Sequence, residues 1–334
     1  MKGDVNNPVL VRTRRGDLIE NYHRGAYVVI DTDGDILAAA GNYQAVMYAR
    51  SSLKPINVLA MLVSGAADTY AVSDQEIALA CASHSGDDSH VTLVGAWLER
   101  LGLSVQDLEC GIHAPMGKSA NKALRASGQT PTALHNACSG KHAGFMTLAK
   151  HMGYPIKGYS HAGSPTQEMV MSVAAEILGI DKDTTPLGVD GCCIPMMGMP
   201  MIALAKGMAR LANSADLRDD LRQACERVNH AVQLYPELVA GTGRFCTDVI
   251  SLTAGRVLVK MGADGVFTGW IPSKKWGIAL KIDDGNLKAA EAAMADLLKR
   301  LKLLPQDNLL DPWINQPLHT WTRDVVGQFE SGLV

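Results

Sequence analysis

Short β-rich runs occur near the two ends of this 334-residue chain, and helical patterns fill the stretch between them. Near the start, GAYVVIDTDGDILAAAG (residues 25–41) consists of two apolar runs around Asp33-Gly34, a step that supplies the positive φ of a tight hairpin turn. Near the end lie RVLVKMG, VFTGWIP and WGIALKID, followed by helical periodicity over residues 286–301. Because the first hairpin has no sheet beside it in sequence, we expect it to pair with the last strands.

The predicted fold class is therefore α/β in the α+β sense, with an antiparallel sheet flanked by helices and an inserted all-helical lobe. Residues 1–50 and 215–334 are expected to form the sheet lobe, and residues 51–214 the mainly helical lobe. The active site is expected to lie between them.

Charge and composition exclude several classes of partner. The chain has 31 basic and 34 acidic residues without a long run of either sign, which argues against nucleic acid or an anionic membrane as a partner. It has no apolar leader segment and no stretch of about 18 apolar residues, so a soluble cytoplasmic protein is expected. The seven cysteines are irregularly spaced, so most are expected to be reduced.

Three helix starts are predicted from local signals. Residues 53–63 are apolar on nearly every side, which predicts a helix that is buried all round, with Ser51 or Ser52 as its cap. Ser73 and Ser164 each precede a glutamate or glutamine by three residues, the spacing of a capping box.

Ser51-Ser52-Leu53-Lys54 places a hydroxyl and an amine three residues apart where the buried helix begins. Residues three apart lie on one helical face, so Ser51 and Lys54 are within side-chain reach, whereas Ser52 and Lys54 are not. A serine hydroxyl becomes nucleophilic when a base takes its proton, and a lysine can do so when burial moves its pKa toward neutrality. The alternative is a capping serine beside a solvated lysine, because S-x-x-K often occurs by chance.

Two later motifs give this tetrapeptide a context. Ser83 lies in CASHSG after a capped helix, and Lys260 is followed by Met-Gly at the end of an apolar strand. A hairpin, S-x-x-K, a helical lobe and then Lys-x-Gly on a strand resemble the order of elements in serine β-lactamases and penicillin-binding proteins, where the strand lysine faces the nucleophile. Ser83 then pairs with Lys260 or carries a proton between Lys54 and the leaving amine. The alternatives are a polar loop and a surface lysine on an edge strand.

A cysteine cluster suggests a metal. Two thiolates and a nitrogen can hold zinc tetrahedrally, and Cys138 with Cys192 or Cys193 can supply the sulfurs. Of the nearby nitrogens His142 is favoured over Lys141, because a lysine amine must be neutral to bind a metal. From these residues alone, buried free cysteines without a metal are favoured over either arrangement.

Six motifs occur in order along the chain: ARSSLKP, ALACASHSG, HNACSGKHAG, VDGCCIP, AGTGRF and VKMGADG. In these the chain resembles the L-asparaginase II family, the rhizobial type of asparaginase, from the hairpin near Gly25 to the closing helix. The resemblance implies a fold like that of the serine β-lactamases, a homodimer, and hydrolysis of L-asparagine to L-aspartate and ammonia.

The resemblance also implies roles for individual residues. Two serine–lysine couples fall on Ser51 with Lys54 and on Ser83 with Lys260. The zinc ligands of the family fall on Cys138, Lys141 and Cys192, so the resemblance implies Lys141 and not His142 as the nitrogen ligand. The zinc ion is expected near the substrate, but it is not expected to activate the nucleophile. Cys193 duplicates Cys192, so the choice of sulfur stays open by one residue.

Arg50 and Asp190 correspond to the substrate contacts of the family. Their charges suit a zwitterionic amino acid, because a guanidinium can grip the α-carboxylate bidentately and a carboxylate can hold the α-ammonium group.

We therefore expect Lys54 to deprotonate Ser51, which attacks the side-chain amide, while Ser83 and Lys260 relay a proton to ammonia. The alternatives are a β-lactamase- or peptidase-type amidase, a glutamine amidohydrolase and a non-catalytic amino-acid-binding protein. The lack of a secretory signal argues against a peptidoglycan-like substrate. The sequence does not predict whether asparagine or glutamine is the preferred substrate, because the two differ by one methylene, which is worth only about 1–3 kcal/mol in a pocket.

Overall fold

The computed structural model describes residues 7–333. Within that range the strands, numbered in chain order, are β1 Val9–Arg15, β2 Leu18–Asp31, β3 Ile36–Ala40, β4 Val46–Tyr48, β5 Leu187–Val189, β6 Pro195–Pro200, β7 Leu258–Met261, β8 Val266–Ile271, β9 Trp276–Ile282, β10 Pro317–His319 and β11 Val325–Ser331.

The helices of the same range include several of a single turn. In chain order they are α1 Lys54–Asn57, α2 Leu59–Val63, α3 Ala66–Thr69, α4 Asp74–Ala80, α5 Asp88–Arg100, α6 Lys118–Ala126, α7 Ser139–Met152, α8 Pro165–Leu178, α9 Met201–Ala212, α10 Asp219–Leu234, α11 Pro236–Val239, α12 Phe245–Leu252, α13 Leu287–Arg300 and α14 Asp311–Ile314. Short 3₁₀ turns include one at Arg50–Leu53.

The main sheet has eight strands in the order β10-β11-β1-β2-β9-β8-β7, with β3 also paired to β2, and its ladders are antiparallel. β2 pairs with β9 from Gly25 opposite Ile282 to Asp31 opposite Trp276. The predicted pairing of the N-terminal hairpin with the C-terminal strands is confirmed, and so is the predicted fold class. Gly34 adopts φ +96° in the turn between β2 and β3, as the Asp-Gly step predicts.

The sheet is wider than the sequence predicts. β1 lies before the predicted hairpin and pairs with both β2 and β11, and the chain continues past the closing helix α13 into β10 and β11. β1 was not predicted because three arginines and a threonine follow Val11, which leaves too few apolar residues to show the period of a strand. β10 is only three residues long, so it lacks a measurable period.

Two compact units divide the chain. One comprises Leu53–Gly198 and Ser214–Ser251, and the other contains the remaining described residues, including Met199–Asn213. In the second unit α9 packs on β9, β2 and β8, and α13 packs on β1, β11, β9 and β8. Each of the six residues of β8 is buried, so both faces of the sheet are covered at this strand. The predicted lobe boundaries, and a site between the lobes, stay a prediction.

The mainly helical unit is built around α4 and α7. α4 contacts α7, α10 and α11, and α7 also contacts α2, α3 and α5. The capping box at Ser73 is confirmed, since its hydroxyl accepts from the Glu76 N–H and the Glu76 carboxylate accepts from the Ser73 N–H. Ser164 caps α8, but the reciprocal half of the predicted box is missing because Gln167 Nε2 donates to the Tyr159 carbonyl.

The predicted buried helix over residues 53–63 is confirmed as buried but is interrupted. It consists of the 3₁₀ turn Arg50–Leu53 followed by α1 and α2, which are separated at Val58. The prediction of Ser51 or Ser52 as its cap is wrong, because the 3₁₀ turn places Leu53 at the N-cap and no side chain caps α1. Between residues 7 and 333, no helix has the length and apolar character needed to cross a membrane.

Candidate active site

The two serines of S-x-x-K have different surroundings. The Ser52 side chain is fully buried and its hydroxyl donates to the Ala49 carbonyl at 2.7 Å. Ser51 is half-buried. A nucleophile must reach substrate, so this contrast favours Ser51 over its neighbour.

The hairpin of β7 and β8 holds this serine turn through its backbone. Thr268 lies opposite Lys260 in the β7–β8 ladder, and its hydroxyl is shared between the Ser52 carbonyl at 3.1 Å and the Lys260 carbonyl at 3.3 Å. A Cβ on Gly262 would lie 2.8 Å from the Ala49 carbonyl oxygen, so this position has no room for a side chain. The strand that carries Lys260 is therefore fastened directly to the turn that carries the serines.

Lys260 and Arg50 belong to the same unit as this turn. Lys260 is fully buried and its Nζ donates to the Met261 carbonyl at 2.8 Å. The Arg50 guanidinium is hydrogen-bonded to the carboxylate of Asp264, in the turn between β7 and β8. Arg50 and Asp264 both have left-handed backbones, with φ of +53° and +57°. Such conformations are uncommon outside glycine and are found disproportionately at functional sites.

Lys54 lies in the mainly helical unit and is also fully buried. Its Nζ donates to the carbonyls of Ala82 and Ala137, the latter at 3.3 Å, and lies 3.1 Å from Ser83 Oγ. Carbonyl oxygens only accept, so they occupy two N–H groups of the amine, and the Ser83 hydroxyl and the Cys138 sulfur lie at its remaining side. A hydroxyl can donate or accept. A proton can therefore pass between Lys54 and Ser83 without rearrangement of the other two bonds.

The cysteine cluster lies in the same unit. Lys141 Nζ is 2.9 Å from Cys192 Sγ, which lies 3.2 Å from a carboxylate oxygen of Asp190. Cys193 is exposed, with its backbone at φ +72°. The His142 ring instead bonds the Tyr159 hydroxyl at 2.7 Å through Nδ1. The side-chain nitrogen in hydrogen-bonding distance of Cys192 Sγ is therefore that of Lys141, and the choice between Lys141 and His142 as a metal ligand stays a prediction.

Charge in this cluster is shared among the sulfurs and the amine. A hydrogen bond with the Cys192 thiol lowers the pKa of Cys138 well below its ordinary value, opposed by burial and assisted by the positive charges of Lys54 and Lys141. The same hydrogen bond, together with burial, raises the pKa of Cys192. Burial acts to lower the pKa of Lys141, but the adjacent sulfurs outweigh it and the pKa is raised. The cluster therefore favours a buried thiolate beside an ammonium group.

The donors of this cluster suit zinc only if the Lys141 ammonium group releases a proton when the metal binds, because a protonated amine has no lone pair to offer. Two sulfurs and one nitrogen that converge in a buried cluster match three of the four positions of tetrahedral zinc, with the fourth left for water or substrate. Over residues 7–333, no group of three or more histidine, cysteine, aspartate or glutamate side chains is arranged to hold a metal ion. A site here would therefore depend on the Lys141 nitrogen.

The sequence model of the L-asparaginase II family matches residues 11–331. The chain belongs to the L-asparaginase II family. The family resemblance inferred from the six motifs is thereby confirmed. Membership makes the chain a hydrolase of the asparaginase type that acts on a small molecule. No curated protein matches the chain by sequence.

Solved structures give more distant likenesses to this L-asparaginase II family member. A putative β-lactamase from Bacteroides dorei has a TM-score of 0.42 and 13% identity, over 77% of this chain and 84% of that one. A β-lactamase from Mycobacterium bovis has a TM-score of 0.43 and 14% identity, over 87% of this chain and 95% of that one. Similarity at this level says nothing about activity.

The structure brings together two groups of the predicted site residues. In the mainly helical unit Lys54 meets Ser83, and Cys138, Lys141, Cys192 and Asp190 form one cluster. In the sheet unit the strand of Lys260 is fastened to the serine turn through Thr268.

The roles of Thr268, Asp264 and the carbonyls of Ala82 and Ala137 were not predicted. Backbone carbonyls leave no signal in a sequence, and a threonine in a strand is common.

Proposed function

We propose that this L-asparaginase II family member hydrolyses L-asparagine to L-aspartate and ammonia through an acyl-enzyme on serine. The observation that carries the proposal is the buried contact between Lys54 and Ser83, in a chain whose family is that of asparaginases. A buried amine beside the Ser83 hydroxyl can take up the proton of the nucleophile Ser51 and pass it on through Ser83.

In the proposed first step Lys54, which reacts in its deprotonated form, takes the proton of the Ser51 hydroxyl while the serine oxygen bonds the side-chain amide carbon of asparagine. Backbone N–H groups near the serine turn stabilise the oxyanion. When the C–N bond breaks, the nitrogen takes a proton that Lys54 passes on through Ser83, and ammonia leaves. Water then cleaves the ester to release aspartate. Lys260 keeps the local charge positive beside the relay.

The amino-acid end of the substrate is assigned to two charged side chains. Arg50 holds the α-carboxylate and Asp190 holds the α-ammonium group. Arg50 is supported by its place beside Ser51 in the serine turn, where its guanidinium already pairs with a carboxylate, that of Asp264. Asp190 is supported by its place next to the buried cysteine cluster.

Zinc belongs to the same proposal, held by Cys138, Lys141 and Cys192. When bound, the ion supplies a fixed positive charge near the substrate, and activation of the nucleophile remains with the lysines. A homodimer in the cytoplasm, expected from the family and the composition, completes the proposal.

The test compares three serine variants by ammonia release from asparagine. We expect Ser51→Ala to lower kcat by more than about 10³-fold, as loss of a nucleophile does, and Ser83→Ala to lower it by about 10²–10⁴-fold, as loss of a proton relay does. Ser52→Ala is the matched control, because its hydroxyl is bound to Ala49, and it should retain most of the activity.

Each outcome of this test has a definite meaning. Near-normal activity of Ser51→Ala would exclude Ser51 as the nucleophile. Unchanged activity of Ser83→Ala would exclude a catalytic role for Ser83 and its lysine partner. If the protein hydrolyses glutamine or a chromogenic β-lactam in preference to asparagine, that compound takes the place of asparagine as the proposed substrate. Binding of asparagine without product would indicate a non-catalytic binding protein.

A further inference from the structure

His84 follows Ser83 directly, and its side chain is fully buried. Its Nδ1 accepts the backbone N–H of Gly86 at 3.1 Å, and its Nε2 lies 2.8 Å from the hydroxyl of Ser139. Ser139 is the first residue of α7, the helix that also carries Lys141. The imidazole therefore joins the loop of Ser83 to the start of α7.

The protonation of this ring follows from its partners. A backbone N–H can only donate, so Nδ1 carries the lone pair. The Ser139 hydroxyl gives its single proton to the Leu134 carbonyl at 2.9 Å, so it accepts from Nε2–H. His84 is thus neutral, with its proton on Nε2. Burial lowers its pKa, and the neighbouring His90 and Lys54 side chains lower it further, in agreement with this assignment.

The backbone of the same loop holds the groups that would exchange a proton. The Ser83 N–H donates to the Val239 carbonyl at 3.0 Å, and the His84 N–H donates to the Ala137 carbonyl at 3.2 Å. That Ala137 carbonyl also accepts from Lys54 Nζ. A displacement of His84 would therefore move the Ser83 hydroxyl directly, because the two residues are adjacent. It would also move the Lys54 amine, because both His84 and Lys54 donate to the Ala137 carbonyl.

Resting on the proposed function, we infer that His84 is a positioning residue, whose ring ties the Ser83 loop to α7 and keeps Ser83 Oγ within proton-transfer distance of Lys54 Nζ. The hydrogen bonds of the ring go to Ser139 and Gly86, and not to Ser83 Oγ or Lys54 Nζ. Its effect is geometric, and a displacement of about 1 Å at reacting groups can cost on the order of 10²-fold in rate.

Two conservative variants separate the two hydrogen bonds of the ring. In His84→Gln the amide nitrogen reaches the Nε2 position and keeps the bond to Ser139. In His84→Asn the amide oxygen takes the Nδ1 position and keeps the bond to Gly86 alone. We expect His84→Asn to lower kcat for asparagine by about 30–100-fold, with KM within about threefold, and His84→Gln to stay within about fivefold of the wild type.

Ser139→Ala removes the same bond from the other side and serves as the matched variant. It should lower kcat as His84→Asn does, and the double variant should lose little more than either single one, because both act through one interaction. Thermal unfolding of every variant is measured alongside, so that kcat is compared per folded enzyme.

The outcomes separate this inference from the function on which it rests. Equal kcat per folded enzyme for the two His84 variants and the wild type, or multiplied losses in the double variant, would overturn the positioning role and leave the reaction standing. Absence of ammonia release by the wild-type protein would overturn the proposed function itself.

Discussion

Two adjacent cysteines have opposite surroundings. Cys192 is buried, with Lys141 and Asp190 in hydrogen-bonding distance of its sulfur. Cys193 is exposed and has a left-handed backbone, which turns the chain away from the cluster. This difference supports Cys192 as the sulfur ligand in the proposed zinc site, where spacing alone left two candidates.

The residue-scale prediction concerns zinc content. Cys192→Ser should lower zinc affinity by more than about 100-fold, because even substitutions of outer-shell partners cost about 10–100-fold, and Cys193→Ser should leave it unchanged. Zinc per protein chain is measured after dialysis against a competing chelator, without reference to activity. If Cys192→Ser retained zinc and Cys193→Ser lost it, Cys193 would be the sulfur ligand in place of Cys192.

At the scale of elements, α7 depends on a close approach to α4. A Cβ on Gly140, in the first turn of α7, would lie 2.4 Å from the Leu79 carbonyl oxygen of α4. One turn later, the nearest atoms to a Cβ on Gly144 lie at 3.6–3.8 Å, an ordinary contact distance. The start of α7, which carries Ser139 and Lys141, is thus located by the absence of a side chain at Gly140.

The two glycines of α7 make a matched pair of substitutions. Gly140→Ala should destabilise the protein by about 2–3 kcal/mol, because the added methyl group overpacks the contact with α4. Gly144→Ala should be neutral or stabilising by up to about 1 kcal/mol, because alanine has the better helix propensity and the space is sufficient. The free energy of unfolding in urea decides between them, and equal effects would contradict the packing argument.

At the scale of the whole molecule, the main sheet joins the two ends of the chain. β1 and β2 pair with β11 and β9, which lie more than 200 residues later. Strands so far apart in sequence close long loops before they pair, and this slows folding. The sheet is therefore completed only after the C-terminal strands are available.

The stability of the whole protein should depend on pH through buried histidines. Burial lowers the pKa of His84 and of His90, whose rings stack at 4.9 Å. The other titratable groups near them are His113, His135, Lys54 and Asp87. A histidine in the unfolded chain titrates near about 6.5, so below that pH the unfolded state binds more protons than the folded state.

The expected result is a fall in the free energy of unfolding as pH drops from about 7 to 5, by up to about 1.4 kcal/mol per pH unit for each histidine. This contribution is complete above the unfolded pKa and is lost toward the lowered folded pKa. Urea unfolding at several pH values measures the slope, which His90→Phe should reduce. A slope that His90→Phe leaves unchanged would contradict the assignment to this pair of rings.

Local patterns were sufficient for part of this description. The turn at Asp33-Gly34, the strands β7 to β9, the helix α13 and the capping box at Ser73 were all predicted, because each depends on residues close together in sequence. The order of six motifs was sufficient to predict the family, since order along a chain needs no coordinates.

The rest depended on folding. The acceptors of Lys54 are carbonyls of Ala82 and Ala137, and a carbonyl is present in every residue, so no sequence pattern marks the two that matter. Cys192 and Cys193 are chemically identical, and only the backbone direction separates the buried sulfur from the exposed one. Composition and spacing show which side chains are available for catalysis or metal binding. The burial of these side chains and the distances between them set their reactivity, and both arise only when distant segments of the chain pack together.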